Sequence, residues 1–363
     1  MIAWLLISFF VLLFLGVPIA MSLGLSAMGG ILFLGGGSTV TIAQRMFEGM
    51  NSFALLAIPL YTFAGFTMSK GGYSIVGHIY GGLAHVNVLS SMIFAGISGS
   101  AVADTAGVSG MFMPEMIRKG YSKNFTVAVT AISSTIGIII PPSIPMVVIA
   151  GICGISTGKL FLGGIIPGIL CGLAQMIVSY FLAKKEGVPK EPGHFTIGPV
   201  LHGLWESWPA LLMPIIIVGT ITMGIVSPTE AGVIAVVYGL FAGGIIYREL
   251  KWEDIKFAFA ETVRTSGRIF IVIGAAKLYT VMLTTAGFDK WVAKTMLGFS
   301  TNPTVILIMI LLIFFIVTMF MESIATLTLF MPILYPIALG VGINPIVLSV
   351  LITVVIGVGL VTP

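Results

Sequence analysis

Apolar runs without a single Asp, Glu, Lys or Arg cover most of the chain: residues 1–44, 71–103, 124–158, 160–183, 207–229, 295–321 and 323–363. Runs longer than about 18 residues with so few charges indicate helices that cross a bilayer. The pattern predicts crossings at 122–155, 160–183, 207–225, 228–247 and 269–286. Two further stretches are too long for one crossing and carry a helix-breaking patch halfway. They are 88–118, centred on "SGSAVADTAG", and 303–334, centred on "MESIAT". Each fits a re-entrant hairpin that turns at mid-depth and leaves on the side it entered. Residues 249–268, "ELKWEDIKFAFAETVRTSGR", read as an amphipathic helix at the cytoplasmic surface. One crossing contradicts its own helix. "GIIIPPSIPMVV" (137–148) places Pro141, Pro142 and Pro145 at its middle, where each removes a backbone donor.

Composition agrees with a polytopic membrane protein. Hydrophobic residues make up 58% of 363, charged residues 8%, and the mean hydropathy is +1.14. The excess of 17 basic over 13 acidic residues reads as positive-inside anchoring rather than nucleic-acid binding. Cys153 and Cys171 lie in apolar runs, with neither a disulfide nor a metal site expected. The start, "MIAWLLISFFVLLFLG", lacks a basic n-region and is expected to be a mature helix. The end, "GVGLVTP", stops in mid-run, and the natural chain is expected to continue past Pro363.

Self-comparison reveals a repeat. "LYT" recurs at 60–62 and 278–280, and "FMP" at 112–114 and 330–332, each at a shift of 218. "GIIIP" at 137–141 meets "GLVTP" at 359–363, a shift of 222. The halves are 1–183 and 207–363, joined by a polar cytoplasmic linker, 184–206. Arg118, Lys119 and Lys123 put the open end of the first hairpin in the cytoplasm, whereas no Lys or Arg follows the second. Counting crossings forward from the first hairpin also starts the second from the periplasm. Related halves in opposite orientations form the inverted repeat of secondary transporters, whose sites sit at discontinuous helices near the midplane. The fold class expected is therefore an all-α polytopic membrane protein with two re-entrant hairpins.

"SGSAVADTAGVSGMFMPEMIRKGY", "GIIIPPSIPMVV" and "GIVSPTEAGVIAVVYGL" resemble the large membrane subunit of TRAP transporters, the tripartite ATP-independent periplasmic family. The resemblance runs through the whole chain in order. It implies an elevator-type secondary transporter in the bacterial inner membrane, not an enzyme. It further implies sodium-coupled uptake of an organic acid of the sialic acid or C4-dicarboxylate type. The implied partners are a small four-helix membrane subunit and a periplasmic substrate-binding protein. Family chains normally continue past "TPP", so the second cation site is expected to be incomplete as the sequence stands. A stand-alone sodium–dicarboxylate symporter of the same broad fold is the nearest rival. A passive channel and an intramembrane hydrolase are more distant.

The resemblance places a first sodium site between the first hairpin tip and the first broken helix, at Ser98, Ser100, Gly137, Ile140 and Pro142, mostly through backbone oxygens. Small residues and oxygen ligands suit a hard cation. By symmetry a second site falls among Thr318, Glu322, Ser323, Ala325, Gly359 and Thr362. Asp104 and Glu322 are related by the shift of 218, and each reads equally as a ligand or as the N-cap of a hairpin arm. Lys277 is expected near the centre of the span 269–286, with Asp104 and Ser143 also on the substrate side. A structural ion pair of Lys277 with Asp104 or Glu322 is the competing reading, as is snorkelling to an interface. Glu230 in "SPTE" reads as part of a capping box, and His78 and His85 as packing at an interface.

Overall fold

The computed structural model describes residues 1–34, 39–50, 81–188, 197–248 and 250–362. Every regular element among them is helical. In order they are α1 (Ile2–Phe14), α2 (Ile19–Leu34), α3 (Thr39–Met50), α4 (Gly82–Ser98), α5 (Ala101–Arg118), α6 (Lys123–Ser134), α7 (Ile144–Cys153), α8 (Thr157–Lys185), α9 (Ile197–Thr222), α10 (Pro228–Phe241), α11 (Trp252–Thr285), α12 (Phe288–Phe299), α13 (Pro303–Thr318), α14 (Ser323–Gly340) and α15 (Pro345–Gly359). A tight 3-10 turn, Thr135–Ile138, ends α6, and a wider π turn, Ala242–Ile246, ends α10. The first "LYT", His78 and Pro363 lie outside the described residues.

Local chemistry sets the boundaries. Ser122 opens α6 by accepting from Phe125 N at 3.2 Å. Asn302 with Pro303 opens α13, and Asn344 with Pro345 opens α15. At α10 the capping box is complete: Ser227 Oγ accepts from Glu230 N at 3.3 Å, and Ser227 N donates to Glu230 Oε2 at 2.7 Å. Glu230 is therefore a helix starter, as its sequence context indicates.

Both expected hairpins are present. Arms α4 and α5 pack together around a tip at Gly99, and arms α13 and α14 around a tip at 319–322. The crossing expected at 122–155 is two helices, α6 and α7, separated by the proline-rich break. The Pro141–Pro142 peptide within it is cis. Two expectations change. The amphipathic segment and the span 269–286 are one helix, α11, of 34 residues. At 1.5 Å per residue that is roughly 50 Å, well beyond a hydrocarbon core of about 30 Å. The polar first turns thus extend a crossing helix rather than forming a separate one. Likewise α9 begins at Ile197, inside the stretch read as linker.

The chain divides into two compact units: 1–56 with 147–156 and 264–363, and 57–146 with 157–263. Each draws on both sequence halves. In the first, α1, α2, α11 and α14 enclose Phe9, Leu23, Tyr279, Met282, Ala325 and Leu329, and Tyr279 OH donates to Leu5 O at 2.8 Å. In the second, Ala95, Val108, Phe112, Met116, Phe125 and Ile136 fill the space between hairpin arms and α6. His85 is buried on α4, 4% exposed.

The cap gives the first prediction. Ser227→Ala removes the hydroxyl half of the box at a cost of about 1 kcal/mol. The purified variant should melt about 2 °C lower. An unchanged melting temperature would show that the box contributes nothing to the start of α10.

Candidate functional site

Three features converge at the first hairpin tip. The chain reverses at Gly99, whose φ of +63° suits glycine. The carbonyl of Gly99 accepts from Ile144 N at 3.1 Å, so the tip caps the start of α7. The fit is close: a Cβ on Gly99 would lie 2.6 Å from Pro142 O. The structure therefore seats the tip directly on the break, bringing Ser98, Ser100, Gly137 and Pro142 into one neighbourhood.

Asp104 is the acidic member. It is fully buried, and Ser98 Oγ donates to its Oδ1. Its Oδ2 faces Gly137, where an added Cβ would collide with the carboxylate. Among the described residues Oδ2 has no hydrogen-bond partner. Asp104 does not cap its arm. That role belongs to Ser100, whose Oγ accepts from Ala103 N at 3.4 Å. Ser100 N also donates to Ser98 Oγ at 3.3 Å. The cluster gathers a carboxyl oxygen without a donor, hydroxyls and backbone carbonyls, all oxygen groups of the kind a hard cation can take as ligands.

Ser143, expected on the substrate side, is fully buried and has a local task. Its Oγ donates to Ile138 O at 2.5 Å and accepts from Met146 N at 3.3 Å. It satisfies a carbonyl freed by the break and starts α7. Ile140 is half-buried within the same break.

The second hairpin resolves differently. Glu322 caps α14, with Oε2 accepting from Ile324 N at 2.9 Å and Ala325 N at 3.3 Å. Ser323 Oγ donates to Oε1 at 2.9 Å. Thr318 Oγ1 donates to Phe314 O at 2.7 Å, and a Cβ on Gly359 would strike that oxygen. Thr318 and Gly359 therefore meet, while Glu322, Ser323 and Ala325 form a cap cluster. Thr362 lies just beyond α15, its Oγ1 donating to Val358 O at 2.7 Å.

Asp104 and Glu322 are thus not equivalent in role. Each precedes its "FMP" phenylalanine by eight residues (112 − 104 and 330 − 322). The caps, however, are Ser100 and Glu322, four residues apart in that register. Both arms have 18 residues, but the first has one more turn between its cap and "FMP", which carries Asp104 inside the helix and leaves Glu322 at its mouth.

Lys277 lies on α11, eight residues before its end, and so stays at the middle of the stretch 269–286 although the helix itself begins at Trp252. It is half-buried, and its stem packs on α3, where a Cβ on Gly49 would come within 2.6 Å of Lys277 Cβ. Among the described residues it has no ion pair. The carboxylate of Glu322 is engaged on its own helix start instead.

With this geometry in place, comparison with known proteins is decisive for the family. The model of the tripartite ATP-independent periplasmic transporter DctM component matches residues 6–363. The chain belongs to that family. It is 37% identical over 364 residues to the isethionate TRAP transporter permease protein DctMQ of Oleidesulfovibrio alaskensis, covering 98% of this chain and 57% of that protein. It therefore spans just over half of that relative's length. The sialic acid TRAP transporter large permease protein SiaM of Vibrio cholerae is 34% identical over 361 residues, covering 97% of this chain and 84% of SiaM. The C4-dicarboxylate TRAP transporter large permease protein DctM of Pseudomonas aeruginosa is 35% identical over 351 residues, covering 94% and 82%. Among solved structures, the YdaH transporter of Alcanivorax borkumensis aligns with a TM-score of 0.57 over 87% of this chain and 76% of that one. At 14% identity that likeness concerns the fold alone. The chain is thus an all-α, multi-pass membrane protein of the DctM family.

The contact between Gly137 and Asp104 yields the second prediction. Gly137→Ala should overpack the joint by about 1–3 kcal/mol and lower the melting temperature. Adding Asp104→Ala frees the space and should recover part of that loss. Strictly additive effects in a double-mutant cycle would mean that the two positions do not touch.

Proposed function

We propose that this chain is the transporting subunit of a sodium-coupled importer for an organic acid in the bacterial inner membrane. The observation that carries the reading is Asp104 Oδ2, enclosed without a partner where a hairpin tip meets a broken helix. A hard cation is the natural companion of that oxygen, with Ser98, Ser100 and the carbonyls of Gly137, Ile140 and Pro142 as further ligands. The opposed hairpins suit alternating access of the elevator type, with a second cation near Thr318 and Gly359. Glu322, Ser323, Ala325 and Thr362 would frame that second site.

The named relatives carry isethionate, sialic acid and C4-dicarboxylates. What these share is an anionic group, not a carbon skeleton. A Lys277 amine within a crossing helix, without an ion pair among the described residues, fits such a group. Family membership supports two partners: a small membrane subunit and a periplasmic binding protein that delivers the acid.

Reconstitution tests the whole reading. In proteoliposomes an inward sodium gradient should drive uptake only when both partners are present. Robust uptake by the chain alone would favour a stand-alone symporter. Uptake that survives loss of the ion gradients would remove the coupling mechanism.

Lys277 is tested separately. Lys277→Met removes a charge-assisted contact worth about 1.5–3 kcal/mol, roughly ten- to a hundredfold in apparent substrate affinity. Sodium binding should be retained. Unchanged uptake with a lowered melting temperature would make Lys277 a structural residue instead.

A further inference from the structure

A buried polar cluster between the first hairpin arms and α6 takes no part in the site described above. Asn87 and Ser91 on α4, and Thr130 and Ser133 on α6, are at most 1% exposed. Asn87 Nδ2 donates to Thr130 Oγ1 at 2.8 Å and, more weakly, to Met116 Sδ on α5 at 3.7 Å. Ser133 Oγ donates to Asn87 Oδ1 at 2.9 Å, and Ser91 Oγ donates to Ser133 Oγ at 2.9 Å. Thr130 Oγ1 donates onward to Thr126 O at 2.9 Å. One amide thus ties both hairpin arms to the helix that leads into the break.

The spacing connects this cluster to the tip. Residues 87, 91 and 98 of α4 lie on one helical face, in steps of four and seven. Residues 126, 130, 133 and 137 do the same on the opposing segment, in steps of four, three and four. Cluster and tip therefore share a single seam. Ser133 sits one turn before Gly137, and Asn87 sits eleven residues, about 16 Å of helix, before Ser98. Apolar side chains would hold these helices together while allowing small slips along their axes. A fully satisfied hydrogen-bonded layer permits one register.

We propose that Asn87 is a positioning residue for the first ion site. Its two hydrogen bonds to α6 set the register of α4, and through that rigid arm they set Ser98, Gly99 and Asp104 against Gly137 and Pro142. This rests on the sodium reading of that site. Loss of Asn87 strands neither hydroxyl, because Thr130 Oγ1 keeps Thr126 O and Ser133 Oγ keeps Thr130 O at 3.1 Å. Asn87→Leu should therefore fold while losing the register.

The test is a sodium titration of the purified full chain, followed by calorimetry and by sodium-dependent thermal stabilisation. Val88→Ala serves as the control. Val88 is 1% exposed in the same core, so its truncation loosens packing without touching the polar layer. Asn87→Leu should raise the sodium concentration for half-saturation about five- to tenfold, as expected for losing one to two hydrogen bonds of ordinary strength. Its sodium-free melting temperature should fall less than that of Val88→Ala, which should bind sodium normally. Unchanged sodium affinity in Asn87→Leu, whatever its melting temperature, overturns the proposal and leaves the cluster a packing feature. A wild-type chain that shows no response to sodium overturns the ion-site reading, and the proposal falls with it. The wild-type titration tells these two failures apart.

Discussion

A broken helix inside a bilayer must satisfy its own backbone, since no water is present to do so. The rest of the first hairpin region follows from how this chain meets that demand. Ile138 O, released by the prolines, takes the hydroxyl of Ser143. The N–H of Ile144 at the start of α7, which has no partner within its own helix, donates to the carbonyl of Gly99. That second bond is the only one of the two that crosses between elements, and it fixes where the hairpin ends. The tip must reach the break, must turn within one residue, and must be bare enough for the approach. Glycine at 99 meets all three conditions.

The two hairpins show that a shared sequence repeat need not mean a shared electrostatic design. The "FMP" matches align at a shift of 218, but "GIIIP" and "GLVTP", and the caps Ser100 and Glu322, align at 222. Four residues are about one helical turn. That turn moves the acid of the first hairpin from the cap position to the enclosed interior, where its Oδ2 has no hydrogen-bond partner among the described residues. Glu322 stays at the cap, where two N–H groups and Ser323 hold it. The same carboxyl chemistry therefore stabilises a helix start in one hairpin and leaves an oxygen without a hydrogen-bond partner, among the described residues, in the other.

Much of this was legible because it depends on local chemistry. Charge-free runs mark spans, adjoining prolines mark a break, and "SPTE" marks a helix start, each within a few residues. The offset between 218 and 222 was legible too, and it distinguishes Asp104 from Glu322 once the extra turn is recognised. Long-range facts were not accessible in this way. The polar layer joins Asn87 to residues more than forty positions away, and nothing in "AHVNV" distinguishes that asparagine from a solvent-facing one. The 4-3-4 spacing of Thr126, Thr130, Ser133 and Gly137 was the available signal, but it gains meaning only when α4 is known to lie opposite. The length of α11 was misread for a related reason. Polar residues suggested a separate surface helix, although no Gly or Pro interrupts 252–266 and a helix continues unless something stops it.

The enclosed Asp104 also constrains how stability and ion binding relate. A buried carboxylate without a counter-charge is unfavourable by several kcal/mol after relaxation, even with one hydroxyl bound to it. When the carboxyl is ionised, that cost falls on a joint held, among the described residues, by the Ile144 N–Gly99 O bond and close glycine packing. On the proposed reading, a cation at Oδ2 does two things at once. It neutralises the charge, and it cross-links the tip to the break through oxygens contributed by both. Ion affinity and the integrity of the joint then draw on the same interactions, so neither can be strengthened by local changes without altering the other. A polar layer placed farther along the same seam avoids that conflict. It fixes the register of α4 on α6 with neutral groups, at a distance where its strength does not depend on the charge state of the site.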